Sequence, residues 1–137
     1  KKSLPVILCG DFNSLPDSGV FEFLSKGEIE AGHQDFMVYD YGSYTKEALK
    51  TNFVLKSSYS HIGELEFTNF TPSFKGVIDY VWYSSNFLNI IGLLSNVDKE
   101  YTNKSVGFPD AHHPSDHIPL VISLRAKAVT GQRVKFN

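Results

Sequence analysis

Val77-Ile78-Asp79-Tyr80-Val81-Trp82-Tyr83 is the stretch that decides the predicted fold, because its β-branched and aromatic residues favour a β-strand. Asp79 lies inside this apolar strand, where a carboxylate is unfavourable unless a partner stabilises it. Two interpretations are open. Backbone amides could satisfy a structural Asp79, or Asp79 could orient a histidine, as carboxylates do in catalytic dyads and triads. His117 is the predicted partner.

An earlier apolar run, Leu4-Pro5-Val6-Ile7-Leu8-Cys9, leads directly into Gly10-Asp11-Phe12-Asn13-Ser14. Continuous apolar runs are typical of strands in the middle of a sheet, so we predict a buried strand over residues 6–9 and a buried Cys9 thiol. Asp11 and Asn13 then share one side of the chain. The carboxylate can accept a proton from an attacking water, and the amide can donate to charge developing on a phosphorus-bound oxygen. The alternative is an ordinary turn rich in Asp, Asn and Ser.

The third polar segment, Pro114-Ser115-Asp116-His117, precedes a predicted last strand over residues 118–124. His117 can donate to a phosphate oxygen, whereas Asp116 can bind a metal or hold the loop. Oxygen ligands favour Mg²⁺, and the sequence has neither an HExxH motif nor a zinc-type Cys/His spacing. The three segments together predict a metal-assisted phosphodiesterase.

The rest of the chain predicts further strands and helices. A helix is expected over residues 17–26, capped by Ser14 or Asp17 and ended by Gly27, and a weaker one over residues 44–50. Further strands are expected over residues 53–55, 67–72 (with a turn at 72–73) and 87–94. Residues 98–113 are expected to form a loop that exposes His112 and His113.

Composition narrows the class of protein. A chain of 137 residues with 42% hydrophobic and 20% charged residues is one globular domain rather than a disordered segment. The net charge of −2 gives no overall positive field for nucleic acid. Residues 125–137 carry four basic and no acidic residues, which predicts a solvated tail or a weak phosphate contact. The single Cys fits a reducing compartment. The sequence contains no apolar run long enough to span a membrane, so no membrane partner is expected.

The order of GDFNS, VIDYVWYS and PSDHIP resembles the exonuclease–endonuclease–phosphatase superfamily, which has the DNase I-like fold. The longer stretches FTNFTPSFKGVIDYVWYS and GFPDAHHPSDHIPL are similar to poly(A) deadenylases of the carbon catabolite repressor protein 4 type. The similarity spans most of residues 5–122. It implies an α/β fold, part of a two-sheet β-sandwich flanked by helices. Residues 1–124 would be the C-terminal portion of that domain, and residues 125–137 a basic tail.

The resemblance also implies roles for individual residues. The implied catalytic residues are Asp11, Asn13, Asp79, Asp116 and His117. Of these, Asp11, Asn13, Asp116 and His117 would lie at the metal ions, and Asn13 would also contact the substrate. Phe74 would stack on an adenine base. From the residues alone, ordinary packing would be the favoured role of Phe74.

The implied reaction removes 5′-AMP from the 3′ end of an mRNA poly(A) tail with the help of two Mg²⁺ ions. The implied partners are poly(A) RNA and the scaffold subunits of a deadenylation complex, and the implied location is the cytoplasm and nucleus. In the family, a Glu from a segment before the first strand holds the first metal. We therefore expect this chain alone to be inactive and, with an apolar face exposed, prone to aggregation. Two alternatives are open: an incomplete chain that only binds a partner or RNA, or another phosphodiesterase or phosphatase of the same fold.

Overall fold

The computed structural model describes residues 4–128 of the chain, which form short strands and helices. The strands are β1 (Ile7–Asp11), β2 (Glu28–Ile29), β3 (Leu49–Lys50), β4 (Lys56–Ser57), β5 (Asn69–Phe70), β6 (Lys75–Gly76), β7 (Asp79–Tyr83), β8 (Leu88–Leu93) and β9 (Ile122–Ala126). The helices are α1 (Gly19–Lys26), α2 (Ser43–Lys46) and α3 (Lys99–Thr102). Among these helices, none has the length and apolar character needed to cross a membrane.

The strand predicted over residues 77–83 is confirmed as β7, which begins two residues later, at Asp79. β7 lies in the middle of a three-stranded antiparallel sheet, between β1 and β4. Its residues from Tyr80 to Tyr83 are buried, and Trp82 is completely inaccessible to solvent. In the ladder between β1 and β7, Asp11 is paired with Asp79, so the two carboxylates belong to the same end of the sheet.

The core lies between this sheet, the loops that follow β4 and the antiparallel pair of β8 and β9. Phe67, Leu55 and Trp82 are its largest fully buried side chains, and Leu93 of β8 and Ile122 of β9 pack against it. These layers give the α/β arrangement of packed sheets flanked by a helix that the family resemblance implies.

α1 covers one face of the central sheet. The ring centroid of Phe21 lies 4.9 Å from that of Trp82 and 5.5 Å from that of Tyr80. The helix starts at Gly19 because the Ser18 hydroxyl accepts a hydrogen bond from the backbone N–H of Phe21, so the cap is neither Ser14 nor Asp17. The predicted stop at Gly27 is confirmed. Its φ of 80° is the left-handed conformation that glycine adopts without strain.

The prediction that the first strand is buried in mid-sheet is wrong. Within residues 4–128, β1 pairs only with β7, and all five of its residues are exposed, including Cys9. Leu4 and Ile7 are 76% and 51% exposed. A continuous apolar run shows that a strand is suited to burial, but not which segments lie beside it. The expected apolar face is therefore present, and aggregation of the chain stays a prediction.

Other elements differ from the predictions in their bounds. Residues 44–50 form the end of α2 and then β3, and residues 53–55 precede β4 rather than form a strand. β5 and β6 pair as a hairpin around the predicted turn, and β8 pairs with β9. α3 lies in the predicted loop of residues 98–113. The last strand, predicted over residues 118–124, is β9 and covers residues 122–126, so it ends inside the predicted tail. Residues 129–137 of that tail lie outside the described residues.

Candidate active site

Asp11, Asp79 and His117 meet at the end of the central sheet. Their ligand-type atoms all lie within 4.8 Å of one another. His117 Nδ1 is 2.8 Å from Asp79 Oδ2, which confirms the predicted contact between these two side chains. Asp79 is thus paired with an imidazole, as the functional interpretation of this buried-strand carboxylate requires. The catalytic roles of the three residues stay predictions.

Asn13 reaches the same cleft through a tight turn. The turn that sequence analysis considered as the alternative is present, because the backbone N–H of Asn13 donates to Asp11 Oδ1 at 2.8 Å. The φ of Asn13 is 47°, a left-handed conformation that Asn tolerates better than most residues. The turn places the Asn13 amide beside the Asp11 carboxylate, with Nδ2 3.5 Å from Oδ2. Turn formation and a functional role are therefore compatible here.

Thr68 is a site residue that sequence reasoning missed. It is only 1% exposed, and its Oγ1 accepts hydrogen bonds from the backbone N–H groups of Ile78 at 2.9 Å and Asp79 at 3.0 Å. Its carbonyl accepts from the N–H of Ile118 at 2.8 Å. One buried threonine thus fixes the backbone of Asp79 and the segment that carries His117. No local pattern announces such a residue, because its partners come from two distant segments.

Asn69 was also missed, and it determines where the Asp116 carboxylate points. The buried Asn69 Nδ2 donates to Asp116 Oδ2 at 3.1 Å, and the Asn69 backbone forms an isolated β-bridge with His117. The structure does not bring Asp116 into the group formed by Asp11, Asp79 and His117. Of the two roles that the sequence left open for Asp116, this geometry favours holding the loop over binding a metal.

Phe74 lies on the wall of an open cleft of about 460 Å³. The cleft residues are Asp11, Asn13, Leu15, Asn69, Thr71, Phe74, Ile78 and His117. Phe74 is 38% exposed, so it is not a core residue. Gly76 makes room for its ring, since a Cβ at position 76 would lie 2.8 Å from Phe74 Cζ and 3.0 Å from Leu15 Cδ2. An exposed ring on the same cleft as Asp11 and His117 is available for stacking.

Side-chain stacking and hydrogen bonds hold the loop before His117, which the sequence predicts only as an exposed loop. His112 is exposed as predicted, but the prediction is wrong for His113, which is half-buried and stacks on Phe108 with 4.2 Å between ring centroids. Asp110 accepts hydrogen bonds from the backbone N–H groups of His112 and His113 and from the Tyr101 hydroxyl. Desolvation raises the pKa of Asp110, but these hydrogen bonds outweigh it and hold the pKa well below its usual range.

Electrostatics favour the protonated form of His117. Its hydrogen bond to Asp79 raises its pKa above the ordinary value, desolvation opposes this change, and the nearby charges of Asp79, Asp116 and Asp11 raise the pKa further. Because Nδ1 faces Asp79, Nε2 is the nitrogen left to donate a proton or a hydrogen bond into the cleft.

The raised pKa of His117 gives a pH prediction for the metal-free chain. In NMR titration with a chelator present, the His117 ring should titrate above the value of about 6.5 found in unfolded peptides. Asp79→Asn should lower this pKa by removing the main cause of the shift.

The same shift makes stability depend on pH. Since the pKa of His117 is higher in the folded chain than in the unfolded one, the contribution of the His117–Asp79 pair to stability is complete below the unfolded pKa. It is lost as the pH rises through the folded pKa. A His117 pKa that Asp79→Asn leaves unchanged would contradict the assignment.

Comparison with known proteins identifies the family. The Endonuclease/Exonuclease/phosphatase family matches residues 1–117. The chain is 49% identical over 124 residues to the CCR4-Not complex 3′-5′-exoribonuclease subunit Ccr4 of Mycosarcoma maydis, covering 90% of this chain and 18% of that protein. The subunit of the same name from Yarrowia lipolytica is 52% identical over 130 residues, covering 95% of this chain and 18% of that protein. The chain thus spans about a fifth of the length of these relatives.

A solved structure shows the same fold. The backbone resembles that of ANGEL2, a 2′,3′-cyclic phosphatase crystallised with adenosine-2′,3′-vanadate, with a TM-score of 0.72 and 24% sequence identity. The match covers 89% of this chain and 45% of the ANGEL2 chain. By the family match over residues 1–117, this chain belongs to the Endonuclease/Exonuclease/phosphatase family.

Proposed function

We propose that this chain supplies part of the active site of a 3′–5′ exoribonuclease that shortens mRNA poly(A) tails and releases 5′-AMP. The observation that carries the proposal is the group of Asp11, Asp79 and His117, assembled from three distant segments at a cleft with an exposed Phe74. The relatives named as Ccr4 exoribonuclease subunits support this choice among the activities of the family.

The residues of the cleft suit phosphodiester hydrolysis. The Asp11 carboxylate can orient a water and accept its proton, and the Asn13 amide can donate to a phosphate oxygen. His117 Nε2 can hold a proton against the phosphate while Asp79 fixes the ring through Nδ1. In the reaction, water forms a new bond to phosphorus and the bond from phosphorus to the 3′ oxygen breaks. The 3′ oxygen of the shortened RNA gains a proton, and 5′-AMP leaves.

The proposed cofactor is Mg²⁺, with two ions in the complete domain. The exposed oxygen donors of Asp11 and Asn13 suit a hard divalent cation. The other two predicted ligands, Asp116 and His117, have side chains already paired with Asn69 and Asp79. Bound Mg²⁺ supplies Lewis-acid polarisation of the phosphate and neutralises its charge.

The proposed setting is a larger assembly. Because the chain spans about a fifth of its relatives, we propose that it is at most weakly active alone. Poly(A) RNA is the proposed substrate. Scaffold subunits of a deadenylation complex are the proposed partners, since the relatives are named as CCR4-Not complex subunits, and the proposed location is the cytoplasm and nucleus.

A chimera tests the function separately from the completeness of the chain. Residues 5–122 would replace the matching segment of the Mycosarcoma maydis subunit, and 5′-labelled oligo(A) would be followed on a gel in Mg²⁺. We expect a ladder of shortened products that disappears with chelator or with Asp11→Ala. A folded chimera with no ladder would refute the proposed function. If the 137-residue chain alone cleaved oligo(A) as fast as the chimera, only the proposal that it is at most weakly active alone would be wrong.

Phe74 should select adenine. In the chimera, Phe74→Ala should lower the rate on oligo(A) by about 10-fold, because stacking on one base contributes about 1–3 kcal/mol, and should change the rate on oligo(U) much less. Phe53→Ala is the matched control, since Phe53 is similarly exposed at 43% and lies outside the cleft. Equal losses on both substrates would argue against base stacking.

A further inference from the structure

A second cleft lies on the other side of the strand end that carries Asp11 and Asn13. It has a volume of about 570 Å³, and α1 and the segment up to β3 form its walls. Phe12 lines this cleft, whereas its neighbours Asp11 and Asn13 line the catalytic cleft. The deeper walls are apolar, with Leu24 and Ile29 among them. This volume and lining are typical of clefts that bury a ligand or a bulky side chain.

The mouth of the second cleft is aromatic and open. Phe36, Tyr41 and Tyr44 lie on its wall, and the two tyrosines are 55% and 60% exposed. The ring centroids of Phe36 and Tyr41 are 6.1 Å apart. Exposed aromatic side chains that rim an apolar cleft mark a binding surface, because tyrosine offers large contact area with little loss of conformational entropy.

The surroundings of the second cleft are strongly acidic. Residues 17–50 contain seven acidic and three basic residues, a net charge of −4. Each of these basic residues is paired with one of the acids: Lys26 with Glu22 at 3.2 Å, Lys46 with Asp40 at 3.0 Å and Lys50 with Glu28 at 2.8 Å. Asp35 lies on the wall of the cleft itself. Such a field repels nucleic-acid phosphates and attracts a cationic partner, so this surface is not an extension of the RNA path.

We propose that the second cleft binds a short basic segment of a partner protein, which inserts one large aromatic side chain between α1 and the tyrosines. The anchor would bury its apolar surface against Phe12 and Leu24, and flanking Lys or Arg residues would match Asp35 on the wall and the net negative charge of the surrounding segment. Because the catalytic side chains face the other cleft, the bound segment leaves the catalytic cleft open. The proposal stands independently of the proposed enzymatic activity.

Three peptides of defined charge test this proposal on the 137-residue chain by fluorescence anisotropy. The first is a labelled Arg-Arg-Trp-Arg-Arg peptide, the second replaces Trp by Ala at the same charge, and the third replaces every Arg by Glu and keeps Trp. We expect the first to bind at least about 10-fold more tightly than the other two, a difference of about 1.4 kcal/mol. Equal binding of the first two, or no binding of the first at 1 mM peptide (about −4 kcal/mol), would overturn the proposal.

Tyrosine variants locate the binding. Tyr41→Ala combined with Tyr44→Ala should weaken the first peptide about 10-fold, whereas Tyr39→Ala should leave it unchanged. Tyr39 is the matched control because its exposed fraction of 59% is similar to those of Tyr41 and Tyr44, and it lies outside the lining of the cleft. Equal effects of the two variants would overturn the assignment. The proposal would also be overturned if sedimentation showed a dimer of the chain that the double variant dissociates, because the occupant of the cleft would then be a second copy.

Discussion

His117→Ala should lower the rate of oligo(A) cleavage by the chimera about 100- to 10,000-fold, the range typical of removing a positioned acid or base. The reason lies in the geometry of the pair. Asp79 holds Nδ1 at 2.8 Å and raises the pKa of the ring, so that Nε2 carries a proton toward the phosphate. Asp79→Asn should also lower the rate, because the ring then loses the carboxylate that fixes its orientation and favours its charged form.

His112→Ala is the matched control for this experiment. His112 is exposed and lies five positions earlier in the same loop. Its backbone N–H donates to Asp110, and this hydrogen bond does not involve the side chain that the substitution removes. Single-turnover rates at saturating oligo(A) separate the chemical step from binding. A His117→Ala chimera that keeps its rate and changes only its affinity would show that His117 binds the substrate without taking part in the reaction.

Thr68→Val should destabilise the chain by about 2–6 kcal/mol, although it keeps the size and shape of the side chain. The hydroxyl accepts from two backbone N–H groups, those of Ile78 and Asp79, and both would lose their acceptor. A buried donor left without a partner is unfavourable by about 1–3 kcal/mol. Because Asp79 would no longer be fixed, the pKa of His117 should also fall toward its ordinary value.

Urea denaturation with an unchanged m-value measures this loss of stability. Thr68→Ser keeps the hydroxyl and should recover most of the effect. Thr51→Val is the control, since its hydroxyl accepts one local hydrogen bond from Phe53 in an exposed setting. If Thr68→Val proved as stable as the control, the bridging role of Thr68 would be wrong.

The sequence predicts those parts of the site that depend on local pattern. Apolar and β-branched content identifies β7, and polar residues within or next to the apolar runs identify Asp11, Asn13, Asp79 and His117. The pairing of Asp79 with His117 follows from chemistry, because a carboxylate in an apolar strand needs a partner.

The parts that sequence reasoning missed depend on contacts between distant segments. Thr68 works through backbone groups of residues 78, 79 and 118, and Asn69 through Asp116, so neither leaves a local signal. The stacking of His113 on Phe108 likewise depends on how a loop folds back on itself. Burial of β1 was wrongly predicted because burial is a property of neighbouring segments, whereas strand formation is a property of the strand.

The pairing of Asp11 with Asp79 in one antiparallel ladder bears on how such a chain can vary over evolution. The ladder sets the separation of the two carboxylates, so the 67 residues between them can gain or lose segments at exposed turns without disturbing it. A single-residue insertion within either strand has the opposite consequence. It would turn every following side chain to the other face and would separate the two acids, however conservative the inserted residue.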